Sequence, residues 1–454
     1  MKIKSGLSVC IASIACATAM FFGACSERRS TPGPAAAALK PAVALPDDRN
    51  VTEGAIRFLE SRVKADSEDH IAYNKLATYY LQLMRETGSI TYLDLASKAA
   101  AASLAALPPE RNTDGLTVKA QVDYAEHEFT GSRDNAKRMA ELDPGKSYPF
   151  YILGDSLLEL GDYDGAKAAY RQMERMTEPF EGVSTVAMNQ RLARQAELYG
   201  ETARAKELLQ SALSEALSLQ VPSRETVAYC HWQLGELAFS IGDYESAESN
   251  YRDSLTTFPN YFKALGSLGR IRAARGDIPG AIEFYERAVR VVPDPTFVAA
   301  LGDLYKLSGR EREAQAQYAL VEKIGHLSAL NGVLYNRALA WFRADHNTQV
   351  EEGYEYAARE YAVRKDIYGA DALAWSALKA GRIDEAQKLS RESLRLGTHD
   401  AKLLYHAGEI AMAAGDKRSA IEYLGSALKL NPCFDPLQSI IAKQDLLKLN
   451  GSIQ

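Results

Sequence analysis

Residues 228–259 read AYCHWQLGELAFSIGDYESAESNYRDSLTTFP, and residues 262–293 read FKALGSLGRIRAARGDIPGAIEFYERAVRVVP. The second segment repeats the pattern of the first segment at a distance of 34 positions, without a gap. The shared landmarks are Leu234 and Leu268, Gly235 and Gly269, Gly242 and Gly276, Asp243 and Asp277, Ala247 and Ala281, Tyr251 and Tyr285, and Pro259 and Pro293. Self-similarity at a fixed period of about 20 to 50 residues indicates stacked repeat units rather than separate globular domains.

Copies in the same register extend over most of the chain. The clearest further landmarks are Leu153-Gly154, Gly161-Asp162 and Tyr170; Leu301-Gly302, Gly309 and Tyr318; Leu373-Ala374 and Gly381; and Ala407-Gly408, Gly415-Asp416 and Pro432. We count about ten helical pairs between roughly Ile56 and Leu430, followed by a terminal helix from Gln438 to Leu449.

This pattern resembles the tetratricopeptide repeat (TPR), a helix-turn-helix unit of about 34 residues. The resemblance implies an all-α fold, a right-handed α-solenoid of about ten TPR-like helix-turn-helix pairs with a C-terminal capping helix. Because one pair cannot bury its apolar faces alone, neighbouring pairs stack and leave a concave surface lined by the first helices.

The repeated residue types have physical reasons of their own. Small residues such as Gly235 and Gly269 let helices approach closely, and we expect them at the closest approach of adjacent repeats. A glycine between the two helices tolerates left-handed backbone angles, and the aspartate after it can cap the next helix. Pro259 and Pro293 end the second helices.

The N-terminus has the features of an export signal. Lys2 and Lys4 precede an uncharged apolar stretch from Leu7 to Ala24. The junction Phe22-Gly23-Ala24-Cys25 resembles a bacterial lipobox, which implies that Cys25 carries the lipid. Ser26 after it implies, by resemblance to the sorting rule of enterobacterial lipoproteins, the outer membrane facing the periplasm. An uncleaved membrane anchor and an ordinary secretory signal stay open as alternatives.

The chain divides into six segments. They are a lipoprotein-type signal peptide (1–24), a Pro/Ala-rich tether (25–50), irregular TPR-like repeats (51–143), a regular TPR array (144–326), TPR-like repeats with an insertion around Asp345 to Glu352 (327–433), and a capping helix with a tail (434–454).

Composition and motifs argue against nucleic-acid binding and against catalysis. The formal charge is −6, which disfavours a protein whose main role is to neutralise phosphates. The seven histidines are scattered, and none lies in a metal-ligand spacing. His231 replaces a packed residue of the repeat. Walker, GxGxxG and GxSxG motifs are absent from the sequence. We therefore expect no catalytic residue, no metal, no cofactor and no small-molecule substrate.

The resemblance implies a noncatalytic protein-interaction scaffold, lipid-anchored in the bacterial cell envelope, that binds a peptide or helix of a partner protein in its concave groove. The alternative is an enzyme, or an obligate regulatory subunit of a cell-envelope enzyme, with a site on the same face. The lysine and asparagine pattern with which some cytosolic TPR domains bind heat-shock protein tails is absent, because Trp232 and Glu236 occupy two of its positions.

First-helix positions that line the groove in TPR proteins predict the partner-binding residues. They form an aromatic strip of mixed charge, which is typical of a contact surface. Packing of Trp232 and the tyrosines against the neighbouring repeat is the other interpretation. The predicted residues are Tyr148, Tyr151, Asp155, Arg194, Tyr229, Trp232, Glu236, Phe239, Lys263 and Arg270.

Overall fold

Ten consecutive helix pairs form most of the computed structural model, which describes residues 44–45, 49–177, 185–330 and 337–451. Within these ranges the chain has 22 α-helices and no strand. The helix α1 (Arg49–Ala65) precedes the pairs, and α22 (Gln438–Gly451) follows them. In chain order the pairs are α2 (His70–Thr87) with α3 (Ile90–Ala106), α4 (Thr113–Ala125) with α5 (Phe129–Leu142), α6 (Tyr148–Leu160) with α7 (Tyr163–Thr177), α8 (Val186–Leu198) with α9 (Thr202–Ser218), α10 (Arg224–Ser240) with α11 (Tyr244–Thr257), α12 (Phe262–Ala274) with α13 (Ile278–Val291), α14 (Pro295–Leu307) with α15 (Glu311–Leu330), α16 (Arg337–His346) with α17 (Val350–Val363), α18 (Ile367–Lys379) with α19 (Ile383–Ser393), and α20 (Ala401–Ala413) with α21 (Lys417–Leu430).

The prediction of about ten pairs and a terminal capping helix is confirmed. Among the described residues, no helix is both long and apolar enough to cross a bilayer. The signal peptide and Cys25 lie outside the described residues, so the lipid anchor stays a prediction.

The turns between the two helices of a pair have the expected caps. Gly242 has a φ of 75°, in the left-handed region, and ends α10. The Asp243 side chain then accepts a hydrogen bond from the backbone N–H of Ser246 at 3.1 Å, which caps the start of α11. Asp277 and Asp416 cap α13 and α21 in the same way. The Gly-Asp pairs of the sequence therefore mark the turns.

The expected position of the small residues was wrong in one respect. Gly269 of α12 faces the ring of Tyr285 on α13, and a Cβ atom there would lie 2.7 Å from that ring. Gly235 of α10 faces Tyr251 of α11 in the same manner. The closest helix approach is therefore within one pair and not between adjacent repeats, because the tyrosine of the second helix packs over the glycine of the first.

The departure from regular repeats lies in α15, which has 20 residues and is the longest of the described helices. At the place where the sequence indicated an insertion, residues 347–349 join α16 directly to α17. Asn347 and Gln349 make this short turn with φ values of 53° and 42°. Non-glycine residues adopt these angles rarely, and asparagine is among those that do so most readily.

Early pairs pack against later ones through a regular set of contacts. In each case the interhelix turn of one pair lies against the C-terminal end of the pair five positions further along the chain. The contacts are Gly88 of the first pair with Val292 after the sixth, Gly161 of the third with Lys365 after the eighth, Gly200 of the fourth with Gly397 after the ninth, and Gly242 of the fifth with Leu430 at the end of the tenth. The repeats therefore form two stacked superhelical turns of five pairs each.

Hydrogen bonds join the two turns at the same places. The Tyr163 hydroxyl accepts a hydrogen bond from the backbone N–H of Ile367 at 2.8 Å. Asn431 donates its side-chain N–H to the carbonyl of Phe239 at 2.7 Å and accepts from the Tyr244 hydroxyl at 2.6 Å. These bonds are buried or partly buried, so their loss would leave polar groups without partners.

The turns of the later pairs are open. At Gly276, Gly309, Gly381 and Gly415, a Cβ atom would meet no atom within 4 Å. These glycines belong to pairs of the second superhelical turn. Among the described residues, no third superhelical turn packs against the interhelix turns of these pairs. The first helices of both turns face a shared interior.

Candidate functional site

A cavity of about 330 Å³ lies between the two superhelical turns. Both turns contribute first-helix residues to its lining, which is a mixture of charged, polar and aromatic side chains. Its lining includes Arg194, Glu236, Phe239, Arg270, Tyr368 and Lys402. We call the first-helix surface that continues from this cavity across α6, α8, α10 and α12 the inner wall.

Glu236 is the centre of a hydrogen-bond network that joins three helices of the inner wall. It accepts hydrogen bonds from the Tyr251 hydroxyl at 2.7 Å, the Ser267 hydroxyl at 2.7 Å and the Arg270 guanidinium at 2.5 Å. Burial acts to raise the pKa of Glu236, but the charge of Arg270 and these hydrogen bonds lower it below its ordinary value. The carboxylate is thereby fixed in place by the protein itself.

Asp155 plays the same part on α6. It accepts hydrogen bonds from the Tyr170 hydroxyl at 2.7 Å and from the Arg191 guanidinium at 2.9 Å. Burial raises the pKa of Asp155 despite the charge of Arg191. Arg191 also lies over the ring of Tyr151, 5.1 Å from its centroid. Asp155 and Glu236, both predicted to contact a partner, therefore hold helices together.

The same pairing recurs along the chain. In three repeats the carboxylate directly after the Leu-Gly pair accepts a hydrogen bond from a tyrosine 15 residues later: Asp155 from Tyr170, Glu236 from Tyr251, and Asp303 from Tyr318. The bond joins the first helix of a pair to the second. It accounts for the acidic residue at this position of the repeat by packing rather than by partner binding.

Trp232, Tyr229 and Lys263 form a stacked group on the inner wall, where both rings pack at the edge of the hydrophobic cluster of α10, α11 and α12. The two rings stack with centroids 5.5 Å apart, and both side chains are half-buried. The Lys263 ammonium lies 4.8 Å from the Trp232 ring and 5.3 Å from the Tyr229 ring. Lys263 forms no ion pair with any residue that the structure describes, and burial lowers its pKa.

Trp232 also contacts the next repeat, because its indole N–H donates to the Ser267 hydroxyl at 3.1 Å. Both interpretations of this residue thus have a structural basis. The indole N–H is used for contact between repeats and the ring packs against the hydrophobic cluster, while the side chain stays only half-buried. Burial raises the pKa of Tyr229 to about 12, so its phenol stays neutral at ordinary pH.

The remaining predicted residues differ in exposure. Phe239 is buried under the Arg270 guanidinium, 4.0 Å from the ring centroid. Arg194 is exposed, forms an ion pair with Glu197 at 3.2 Å, and lies 5.6 Å from the ring centroid of Tyr368 on the second superhelical turn. Tyr148 lies at the start of α6, where its hydroxyl accepts a hydrogen bond from Thr117 at 3.2 Å.

Sequence reasoning missed the part of this interior that α18 and α20 of the second superhelical turn supply. Tyr368 and Lys402 occupy the same register position in their repeats as Tyr229 does in its own, five residues before the Leu-Gly position. Their shared position in the repeat could therefore have predicted that Tyr368 and Lys402 line the same interior. Lys402 donates to Asp345 at 3.3 Å, and Asp345 also accepts from the Trp375 indole at 2.7 Å.

No metal centre emerges from the residues that the structure describes. Within them, no group of three or more His, Cys, Asp or Glu side chains could hold a metal ion. His231 is buried, as expected for a packed residue, and burial lowers its pKa to about 4.

Comparison with known proteins agrees with the helix pairs. Family models described as tetratricopeptide repeat match residues 228–295, 372–432 and 150–174. These three segments of the chain are therefore tetratricopeptide repeats. The repeats give the chain the fold of a protein-interaction scaffold, and the absence of catalysis stays a prediction.

One curated relative of this chain is the probable biofilm formation methyltransferase WspC of Pseudomonas putida, 38% identical over 86 residues. The match covers 19% of this chain and 19% of the relative, so it spans about a fifth of that protein's length.

Two of the solved structures to which this chain is similar cover most of its length. A Rap protein complexed with competence and sporulation factor has 15% identity and a TM-score of 0.48, covering 76% of this chain and 98% of that one. The human IFIT1 dimer with PPP-AAAA has 16% identity and a TM-score of 0.45, covering 84% and 87%.

Proposed function

We propose that this tetratricopeptide-repeat protein is a noncatalytic scaffold that binds a peptide or helix of a partner protein on its inner wall. The observation that carries the proposal is the Tyr229–Trp232 stack with Lys263 above it. Half-buried aromatic rings on a concave surface are the type of group that contributes most to protein interfaces. A cation without an ion-pair partner favours an acidic side chain on the partner segment.

The surrounding network supports this role by holding the wall in shape. Glu236 and Arg270 fix α10, α11 and α12 relative to one another through hydrogen bonds of 2.5 to 2.7 Å. A surface that is already ordered loses little conformational entropy when a partner binds. The carboxylates that the sequence suggested as contacts thus contribute by positioning the aromatic strip.

A double variant, Tyr229→Ala with Trp232→Ala, tests the binding site. We expect pull-down of the partner to fall at least about tenfold, because truncating central aromatic residues removes the largest contributions to an interface. The matched control is Tyr354→Ala with Tyr361→Ala, which removes two half-buried rings from the second helix α17. Melting curves are measured for both.

Loss of binding in the inner-wall variant with a melting temperature like that of the control supports the proposal. Retained binding together with a lower melting temperature contradicts it, because the rings would then serve packing alone. The milder Trp232→Phe change keeps a ring but removes the N–H that bonds Ser267, so it separates the packing contact from the aromatic surface.

We further propose that Cys25 is acylated and anchors the scaffold in the bacterial cell envelope, at the outer membrane facing the periplasm. Support comes from the uncharged apolar stretch before the Gly-Ala-Cys junction and from Ser26 after it. A single acyl chain binds membranes only marginally, so stable anchoring requires more than one.

The test of the anchor is Cys25→Ala followed by fractionation of cells. The variant should remain uncleaved and lose the mass of the acyl groups, while the parent chain appears in the membrane fraction as a shorter, acylated species. A variant that is processed and membrane-bound like the parent contradicts the assignment.

A further inference from the structure

The first described helix, α1, buries one side and leaves the other uncovered. Thr52, Ile56 and Leu59 are buried, with Ile56 and Leu59 in the cluster formed with α2 and α3. On the other side, Val51 is 74% exposed and Phe58 is 61% exposed. The two residues are seven positions apart, which is about two turns of an α-helix. They therefore lie on the same side and form an apolar stripe on the outer face of α1.

A basic row accompanies this stripe. Arg57 and Lys64 stand one position before Phe58 and Ala65, about 100° around the helix from the apolar stripe, so they flank it on one side, where Glu53 and Glu60 also lie. Arg57 is exposed and has only a loose contact with Glu53 at 3.8 Å. Lys64 has no ion pair with any described residue.

The charge of α1 is opposite to that of the whole chain. The helix contains four basic side chains against two acidic ones, whereas the chain has a formal charge of −6. A helix with a basic row beside an apolar stripe fits a bilayer surface that contains anionic lipids, where basic groups meet the headgroups and apolar groups enter the interface.

The position of α1 along the chain selects the membrane as the occupant. Residue 49, where α1 begins, is 24 positions after Cys25. A chain of that length spans at most about 80 Å even when fully extended. A lipid on Cys25 would therefore keep α1 within that distance of the bilayer. Such tethering raises the effective concentration of the membrane surface at α1, so that even a weak contact is populated.

We propose that the outer face of α1 lies on the anionic membrane surface and orients the repeat solenoid relative to the membrane. This inference rests on the proposed acylation of Cys25. Phe58 and Val51 enter the headgroup region, and Arg57 and Lys64 contact lipid phosphates.

The experiment uses the full acylated protein reconstituted in vesicles of phosphatidylcholine with about one third phosphatidylglycerol, in which the acyl chains are brominated to quench tryptophan. The probe is an indole introduced by Phe58→Trp. The matched control is Leu447→Trp, a residue that is 72% exposed on the terminal helix α22. The signal of the three native tryptophans is subtracted with the parent protein.

We expect the Phe58→Trp indole to be quenched at least twofold more than the Leu447→Trp indole. Adding Arg57→Glu and Lys64→Glu, or replacing the phosphatidylglycerol by phosphatidylcholine, should remove most of the difference. Equal quenching of the two indoles overturns the proposal and leaves the face of α1 for a protein contact. Quenching that is insensitive to both the charge reversal and the lipid charge also overturns it.

Failure of the anchor gives a different result. If the protein does not remain with the vesicles and has no acyl mass, the proposed function at Cys25 fails and the docking of α1 fails with it. If the protein is acylated and stays with the vesicles without the difference between the two indoles, only the docking is wrong.

Discussion

At the scale of single residues, Gly269 and its ring partner decide how closely the helices of a pair approach. A Cβ atom on Gly269 would lie 2.7 Å from the Tyr285 ring. We expect Gly269→Leu to lower the free energy of unfolding by about 1 to 3 kcal/mol through overpacking. Gly425 of α21 is the matched control, because a Cβ atom there meets nothing within 4 Å.

Urea denaturation of both variants measures the effect. Gly425→Leu should be neutral or slightly stabilising, since leucine has a better helix propensity than glycine. If Gly269→Leu has the same midpoint as the parent chain, the close packing of Tyr285 on α12 is not as the structure has it.

The sequence predicted the inner-wall residues through their register, but not what each one does there. Tyr229 and Trp232 lie on the inner wall as the spacing indicated. Asp155 and Glu236 are taken up by hydrogen bonds within the fold. The spacing of 15 residues between carboxylate and tyrosine was present in the sequence, yet only geometry shows that a bond joins them.

At the scale of helices, Glu409 of α20 has a half-buried carboxyl group that interacts with Asp445 of α22. Burial and the nearby Asp445 of α22 raise the pKa of Glu409 to about 7, while Lys379 and Lys448 act against this shift. The folded state therefore favours the protonated form. The stabilisation is present below the ordinary pKa near 4.5 and is lost as the pH rises through about 7.

We expect Glu409→Gln to remove this pH dependence, because the amide cannot ionise. Between pH 5 and pH 8, the variant should gain up to about 3 kcal/mol of unfolding free energy relative to the parent chain. The measurement is urea denaturation at the two pH values, with the exposed Glu422→Gln on α21 as control. The prediction would be contradicted if the free energies of unfolding of the parent chain and of the Glu409→Gln variant changed by the same amount between the two pH values.

Helices were the level at which the sequence was most informative. The Leu-Gly and Gly-Asp landmarks predicted most of the roughly ten pairs, because each landmark has a local cause in close packing or capping. The irregular pairs and the terminal helix α22 were predicted from helical pattern alone. The connection between α16 and α17 was less predictable. Its short turn has Asn347 and Gln349 in the left-handed region of backbone angles. The shift in repeat register indicated an irregular segment here, but it did not predict the conformation of this turn.

At the scale of the whole molecule, contacts between pairs five positions apart bring the two superhelical turns together. The turn residues Tyr163 and Tyr244 supply hydroxyl groups at these contacts. Interhelix turns that pack against no other superhelical turn among the described residues have Ile278, Glu311 and Lys417 at the same position, two residues after the turn glycine. This difference in residue type is visible in the sequence. The spacing of five pairs between contacting repeats is not, because it arises from small rotations that accumulate from repeat to repeat and that no local sequence pattern encodes.

The stacking has a consequence for binding, because both turns contribute to one interior. Arg194 of the first turn lies against Tyr368 of the second, and the cavity between the turns has a volume of about 330 Å³. A partner segment on the inner wall is therefore close to side chains from distant parts of the sequence, and its specificity would depend on both halves of the chain.

Site-specific photocrosslinking in living cells tests the central claim, that the partner binds on the inner wall, most directly. A photoreactive phenylalanine analogue replaces Tyr229 on the inner wall or, as the comparison, the exposed Glu245 on the second helix α11. The account predicts a discrete covalent adduct with one partner protein from position 229 and none from position 245. An adduct from position 245 without one from position 229, or no adduct from position 229, would contradict it.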